Sequence, residues 1–252
     1  MSERKFDYSA FPLGYYHQIL REGSPVRRAW HLQKFRRVLD CLAPGPGLSI
    51  LDIGCFAGSF LSLLDEARFS RQVGVDVLPN QIEFANSHFG SSCRHFQHIP
   101  SIESLDLGKA TFDCVTIIEV IEHLDEREVR IALDKATEVL KQGGRLVITT
   151  PNYTSAWPML EILINKTSSF SYEDQHITKF NYFNVLKKLG RIAPEFLGSF
   201  ELEFKTTTHF IAPFLARFSM GFAERVSCWR DHRSWRHPFG NLLLLSFIKK
   251  PG

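Results

Sequence analysis

Two rhythms alternate along most of this chain: short continuous apolar runs, and apolar stripes at helical spacing. The first run, Leu48-Ser49-Ile50-Leu51, ends at Asp52 and Gly54, with Gly58 four residues on. That pattern predicts a strand, a tight turn and a helix over residues 59–67. Upstream, Ser24-Pro25 supplies an N-cap and a proline suited to the first helical position. Ala29, Leu32, Phe35, Leu39 and Leu42 then recur at helical spacing until Pro44-Gly45-Pro46-Gly47 stops the helix. This helix is expected to pack against the sheet, with Trp30 and His31 as packing residues. Residues 6–16 are rich in aromatics without a clean period and read as a flap over a pocket or as a tail on apolar surface.

The alternation continues with a strand over 71–77 that carries Asp76, a helix over 79–89, a weak strand over 93–97, a turn at 101–105 and an apolar strand over 112–118. A helix over 125–140 places Val129, Leu133, Ala136 and Leu140 on one face, Gly143-Gly144 ends it, and a strand over 145–150 is cut off by Pro151. Strands alternating with helices at this spacing predict an α/β fold, a parallel doubly wound sheet with ligands at the carboxyl ends of its strands. Beyond Pro151 the rhythm loosens into a short helix at 157–165, a polar loop at 168–176, a helix at 180–189 and two last strands at 201–207 and 241–248. The expected division is an N-terminal flap and helix (1–47) and one domain (48–252), in which 209–239 is an insertion forming a substrate lid.

Composition narrows the setting. The charged N-terminus lacks the apolar core of a signal peptide, and no apolar run reaches the roughly 18–20 residues of a membrane span. Five scattered cysteines without a CxxC pair fit a reducing compartment, so a cytoplasmic location is expected. The formal net charge of +3 conceals an asymmetry: residues 1–42, 43–200 and 201–252 sum to +4, −5 and +4. The basic ends could fold together as a lip facing an anionic substrate or a membrane surface.

Chemistry enters at LDIGCFAGSF, residues 51–60. A glycine turn opening on a helix lets a ligand approach the main chain and unpaired N–H groups. Asp52 works against pyrophosphate there, because such loops want positive potential. It suits a ligand with hydroxyls or an amine, such as an amino-acid-bearing nucleoside. A nicotinamide oxidoreductase is disfavoured for the same reason, and because the G-x-G-x-x-G turn is absent.

With its surroundings, this stretch resembles the cofactor motif of class I S-adenosylmethionine (SAM)-dependent methyltransferases, over roughly residues 48–190. The family's D/E-x-G-x-G-x-G is matched by Asp52, Gly54 and Gly58, with Phe56 in place of the middle glycine. The resemblance implies that Asp76 grips both ribose hydroxyls, two hydrogen bonds that a carboxylate accepts from a vicinal diol. Gln81 adds a contact, and Ser101-Ile102 lies where the family reads the adenine edge. Cys55, Val77, Ile118 and Glu119 complete the implied cofactor set. FDCVTIIEVIEHL (112–124) and VLKQGGRLVITTPN (139–152) resemble the fourth and fifth strand regions of the methyltransferases that include ubiquinone-biosynthesis O-methyltransferases. The family's fold is a Rossmann-like, seven-stranded, mostly parallel sheet with helices on both faces and a reversed last strand.

Glu119, Glu122 and His123 form E-x-x-E-H, three ligand-capable side chains within one helical turn, and His176 follows in YEDQHITKF. Some relatives, among them small-RNA 2'-O-methyltransferases and quinone O-methyltransferases, hold a divalent cation with a similar set, so such an ion is a second candidate cofactor beside SAM. Without a metal, His123 or His176 would act as base and Glu119 would contact cofactor. The resulting expectation is O-methylation of a small-molecule, sugar or lipid-linked acceptor. Metal-dependent RNA 2'-O-methylation and non-catalytic SAM binding are the alternatives. No RNA-binding module is legible and the basic excess is modest, which argues against nucleic acid. Aromatic and arginine residues of 209–239 suit an amphiphilic anion or peripheral membrane contact. The sequence carries no signal of oligomeric state.

Overall fold

One seven-stranded sheet organises the computed structural model, which describes residues 11–42, 45–158, 176–230 and 237–251. Its strands are β1 (Ser49–Ile53), β2 (Arg71–Asp76), β3 (Arg94–His98), β4 (Phe112–Ile118), β5 (Leu140–Pro151), β6 (Phe200–Thr208) and β7 (Leu242–Lys249). They lie in the order β3-β2-β1-β4-β5-β7-β6, every pair parallel except those made by β7, which runs antiparallel to β5 and β6. The fold is therefore the Rossmann-like α/β sheet with a reversed last strand that the motif order implied. Among the described residues no helix is long and apolar enough to cross a membrane.

The described helices are α1 (Tyr15–Glu22), α2 (Pro25–Cys41), α3 (Pro79–Phe89), α4 (Glu126–Val139), α5 (Val185–Ile192), α6 (Pro194–Ser199), α7 (Ala212–Leu215) and α8 (Met220–Arg230). Successive strand residues point to opposite faces, so neighbours in sequence enter different cores. Leu51, Val115 and Ile148 meet Val129 and Leu133 of α4, Leu189 of α5 and Phe196 of α6. Ile50, Cys114 and Val147 meet Phe35 and Val38 of α2 and Ile82 of α3. Strands buried on both faces read as unbroken apolar runs, which is why they were legible.

Several expectations are corrected. Residues 59–67 make no α-helix: a short 3-10 turn at Leu61–Leu63 ends where Leu64 turns extended, and the Asp65 carboxylate accepts the Ala67 N–H in a local turn that competes with helix. Asp125 is the N-cap of α4 and forms a reciprocal capping box with Glu128. That helix stops at Val139, and Leu140 with Gly143-Gly144 already belongs to β5. The helix expected over 180–189 begins only at Val185, because Asn181 and Asn184 bond each other's backbone in a preceding turn. It runs through Gly190, where a Cβ would lie 2.9 Å from Leu197 Cδ1 of α6, a helix the pattern did not show. The buried face of α2 is also displaced from the apolar stripe: Leu32 and Leu39 are only partly buried, whereas Gln33, Lys34 and Arg37 point inward. Of the helix at 157–165 and the loop at 168–176, only residues 157, 158 and 176 lie among the described residues, and of the insertion 209–239, residues 231–236 lie outside them.

Candidate active site

The parallel strands β1, β2 and β4 end side by side, bringing Asp52, Asp76 and Ile118-Glu119 to one edge of the sheet. The turn after β1 holds three successive left-handed positions, Gly54 (φ 77°), Phe56 (φ 48°) and Gly58 (φ 74°). Glycine is required at two of them on space as well: a Cβ on Gly54 would stand 2.4 Å from Val120 Cγ2, and one on Gly58 2.5 Å from the Phe96 ring. Phe56 keeps the turn's conformation in spite of its side chain. Its ring meets Tyr16 of α1 edge-on at 5.2 Å and Phe11 at 6.2 Å. The residue that departs from the family motif thus anchors the N-terminal segment over the turn. Cys55 is buried beside Gly74, and burial pushes its thiol well above the ordinary range, which fits a packing residue.

Asp52 is almost fully buried and accepts a hydrogen bond from the Thr116 hydroxyl at 2.7 Å. Burial raises its carboxyl to about 7, the Thr116 bond opposes the shift and the nearby Asp76 charge adds to it. Asp76 accepts the Phe56 N–H at Oδ2 (2.7 Å) and the Leu78 N–H at Oδ1 (3.0 Å), leaving each oxygen a further lone pair. Burial raises its pKa against those backbone bonds. The Gln81 side chain is committed elsewhere than the sequence implied. It accepts the Gly14 N–H and donates to the carbonyls of Pro12 and Phe11, holding the flap. Ser101 is taken up in a reciprocal capping box with Ser104, Ile102 packs partly buried on the core, Val77 is half exposed and Ile118 packs against the α2 side.

Beyond β4 the E-x-x-E-H residues part company, because Glu119 sits in a left-handed position (φ 52°) and a 3-10 turn over Ile121–His123 follows. Glu119 forms an ion pair with the buried Lys34 of α2. Burial would raise the Glu119 carboxyl, but the Lys34 ammonium and its hydrogen bond more than offset this and hold it low. Glu122 points into the interior, 1% exposed; neither of its oxygens makes a hydrogen bond of good geometry among the described residues, and the Thr150 hydroxyl is the weak side-chain contact it has. Burial, and then the Glu119 charge, push its pKa well up. Glu122, His123 and His176 each offer a ligand atom, all within 4.8 Å of one another. The two imidazole rings stand 5.1 Å apart, and His176 Nδ1 shares a 2.7 Å hydrogen bond with the Tyr153 hydroxyl. Of the four candidate ligands the structure brings three together, and the fourth is engaged by a cation.

Three residues of this region were not found from sequence. Lys34 was not singled out, because a lysine that turns inward leaves no mark in an apolar stripe. Tyr153 follows the fifth-strand motif and carries no spacing signal of its own. His209 was placed in the insertion, yet it is fully buried, shares a 2.7 Å bond with the Trp30 carbonyl and another of 2.6 Å with the Thr208 hydroxyl. Burial lowers its pKa to about 4, so it is neutral near pH 7. Trp30 ties this corner together, packing on His209 (4.6 Å) and on Trp157 (5.7 Å), which in turn faces His176.

Comparison with known proteins bears on the family and the fold. The family described as "Methyltransferase domain" matches residues 27–191. An O-methyltransferase of Penicillium expansum is 33% identical over 111 residues, 42% of this chain and 39% of that protein. A ubiquinone biosynthesis O-methyltransferase of Xanthomonas campestris is 35% identical over 117 residues, 44% of this chain and 46% of that one. The matched stretch thus spans less than half of either relative. Among solved structures, a SAM-dependent methyltransferase of Thermotoga maritima, described as a possible histamine N-methyltransferase, superposes with a TM-score of 0.63 at 19% identity, covering 94% of this chain and 95% of its own. With the reversed seventh strand and the glycine turn between two acids, these matches place the sequence: the chain belongs to the methyltransferase-domain family, on the fold of SAM-dependent methyltransferases.

Proposed function

We propose that this protein transfers the methyl group of SAM to an oxygen of a small-molecule or lipid-linked acceptor, with a divalent cation held by Glu122, His123 and His176. The observation that carries the metal is the buried, poorly satisfied Glu122 side chain, with an oxygen within 4.8 Å of a ring nitrogen of each of two imidazoles. A poorly satisfied buried carboxylate is costly, and a cation is the partner that its neighbours are suited to share. The O-methyltransferase relatives support oxygen as the acceptor atom.

In this reading Asp52 faces the methionine end of SAM and Asp76 its ribose. Flap residues Phe11 and Tyr16, seated on Phe56, exclude water from the turn. Tyr153 orients the His176 ring through its hydrogen bond to Nδ1. Lys34 neutralises Glu119, and among the described residues Glu122 is the acid grouped with the two imidazoles. A bound divalent cation would fix the acceptor oxygen and lower its hydroxyl pKa. The transfer is an in-line displacement: the acceptor oxygen bonds to the methyl carbon as the carbon–sulfur bond breaks, S-adenosylhomocysteine leaves, and the hydroxyl proton passes to solvent or base. Alignment of these two groups is the chief contribution, with proximity worth roughly 7–11 kcal/mol.

The test is calorimetric titration of SAM and of Mn²⁺, then transfer of labelled methyl to cell extracts with and without EDTA. SAM and Mn²⁺ should each bind, Glu122→Gln should abolish Mn²⁺ binding alone, and transfer should stop with EDTA. Transfer indifferent to EDTA removes the metal. SAM binding without transfer to any extract favours the non-catalytic reading, and no SAM binding refutes the function.

A further inference from the structure

Helix α8 turns small residues inward and its large aromatic residues outward. Its inward face is small and polar: Ala223 and Ser227 are fully buried, and Ala223 packs on Ala29 of α2 and Ala216. Its aromatic residues point outward, Phe222 at 46% and Trp229 at 60% exposure, and Phe218, just before the helix, at 84%. At about 100° per residue, Phe222 and Trp229 lie within about 20° of each other on the helix, and Arg225 within about 60° of Phe222. Arg217 and Arg225 are exposed and form no ion pair among the described residues. Glu224, the one acid between residues 209 and 230, is paired with Arg36 of α2 at 2.6 Å. Beside this stripe a cleft of about 330 Å³ opens between the start of α2 and the turn before α8, lined by Ser24, Pro25, Val26, Arg217 and Phe218.

From this geometry we infer that α8 and the adjoining turn dock the protein on an anionic lipid surface. Exposed aromatics interleaved with arginines match the boundary between acyl chains and headgroups, where an aromatic ring is buried and a guanidinium stays with phosphate. The charge selects an anionic surface over a neutral one, since Arg217 and Arg225 are exposed and pair with no acid among the described residues. It also disfavours a second copy of this chain: a two-fold contact through the same patch sets Arg217 and Arg225 against themselves. None of these residues belongs to the proposed catalytic machinery, so docking is separable from cofactor binding.

Vesicle sedimentation of the full chain tests this, with phosphatidylcholine alone and phosphatidylcholine mixed with phosphatidylglycerol. The parent protein should sediment with the mixed vesicles and not with the neutral ones, and added salt should release it. Phe218→Ser with Phe222→Ser should abolish sedimentation. Arg217→Glu with Arg225→Glu should weaken it at least about thirtyfold, the order expected for two basic side chains at an anionic surface. Far-UV circular dichroism and thermal midpoints like the parent's would show both variants folded. Equal partition to neutral vesicles, or binding that survives the serine pair, overturns the inference. So does a concentration-dependent dimer, seen by light scattering of the parent and lost in the serine pair, which would make this a face between copies.

Discussion

Asp52 is the residue at which burial and function pull in opposite directions. Desolvation raises its carboxyl to about 7, so in the ligand-free protein it is partly protonated near neutrality. SAM brings an ammonium and a sulfonium, which favour the carboxylate. SAM affinity should therefore rise with pH through about 7 and then level off, and in Asp52→Asn that rise should vanish; calorimetry across the range decides, and a flat curve for the parent protein contradicts the assignment. The stability consequence has the opposite sign. A carboxyl whose folded pKa is raised stabilises the ligand-free fold fully below its unfolded pKa of about 3.9, and that contribution is lost as pH rises through about 7. The acid itself was legible as the motif's first residue; its protonation was not, since it depends on burial in the packed fold, opposed by the Thr116 bond and aided by the Asp76 charge, both contributed by other strands.

The element that most changed its meaning is the N-terminal segment with α1. Its sequence has no clean period, yet Phe11 and Ile19 are buried, and Gln81, at the start of α3, satisfies its backbone with three hydrogen bonds. Removing a buried partner strands the groups it served, at about 1–3 kcal/mol. Gln81→Ala should therefore speed hydrogen exchange in Tyr15–Glu22 by about tenfold or more while leaving α4 protected. Unchanged exchange in α1 would show that the Phe11–Tyr16–Phe56 contacts hold the flap alone. Helix α3 was readable to the residue because Pro79 and Gly90 punctuate it. The inward face of α2 was not, because Lys34 and Arg37 are turned in by what packs around the helix rather than by its own stripe.

At the scale of the whole molecule, one sheet carries two cores, and alternate residues of each strand couple them. Leu133 of α4 is fully buried on one side, whereas Phe35 and Val38 of α2 are buried on the other. Leu133→Ala should cost about 2–5 kcal/mol. The urea transition should move equally whether followed by circular dichroism or by tryptophan fluorescence, since both cores hang on the same strands. Separated transitions would mean that α2 and the flap unfold on their own.

The family resemblance implied the reversed last strand, while the sequence by itself determined the strand–helix alternation and the acid–glycine turn. These follow from local backbone needs and from strands buried on both faces, and both are written in consecutive residues. Only the tertiary structure decided which of four ligand-capable side chains converge. A left-handed Glu119 carries its carboxylate to Lys34, a residue 85 positions away in sequence, while Glu122 is left buried and poorly satisfied beside His123 and His176. Spacing fixes which side chains lie near one another along the backbone; the pairing of a buried charge depends on which distant element supplies its partner, and that is settled only when the elements pack.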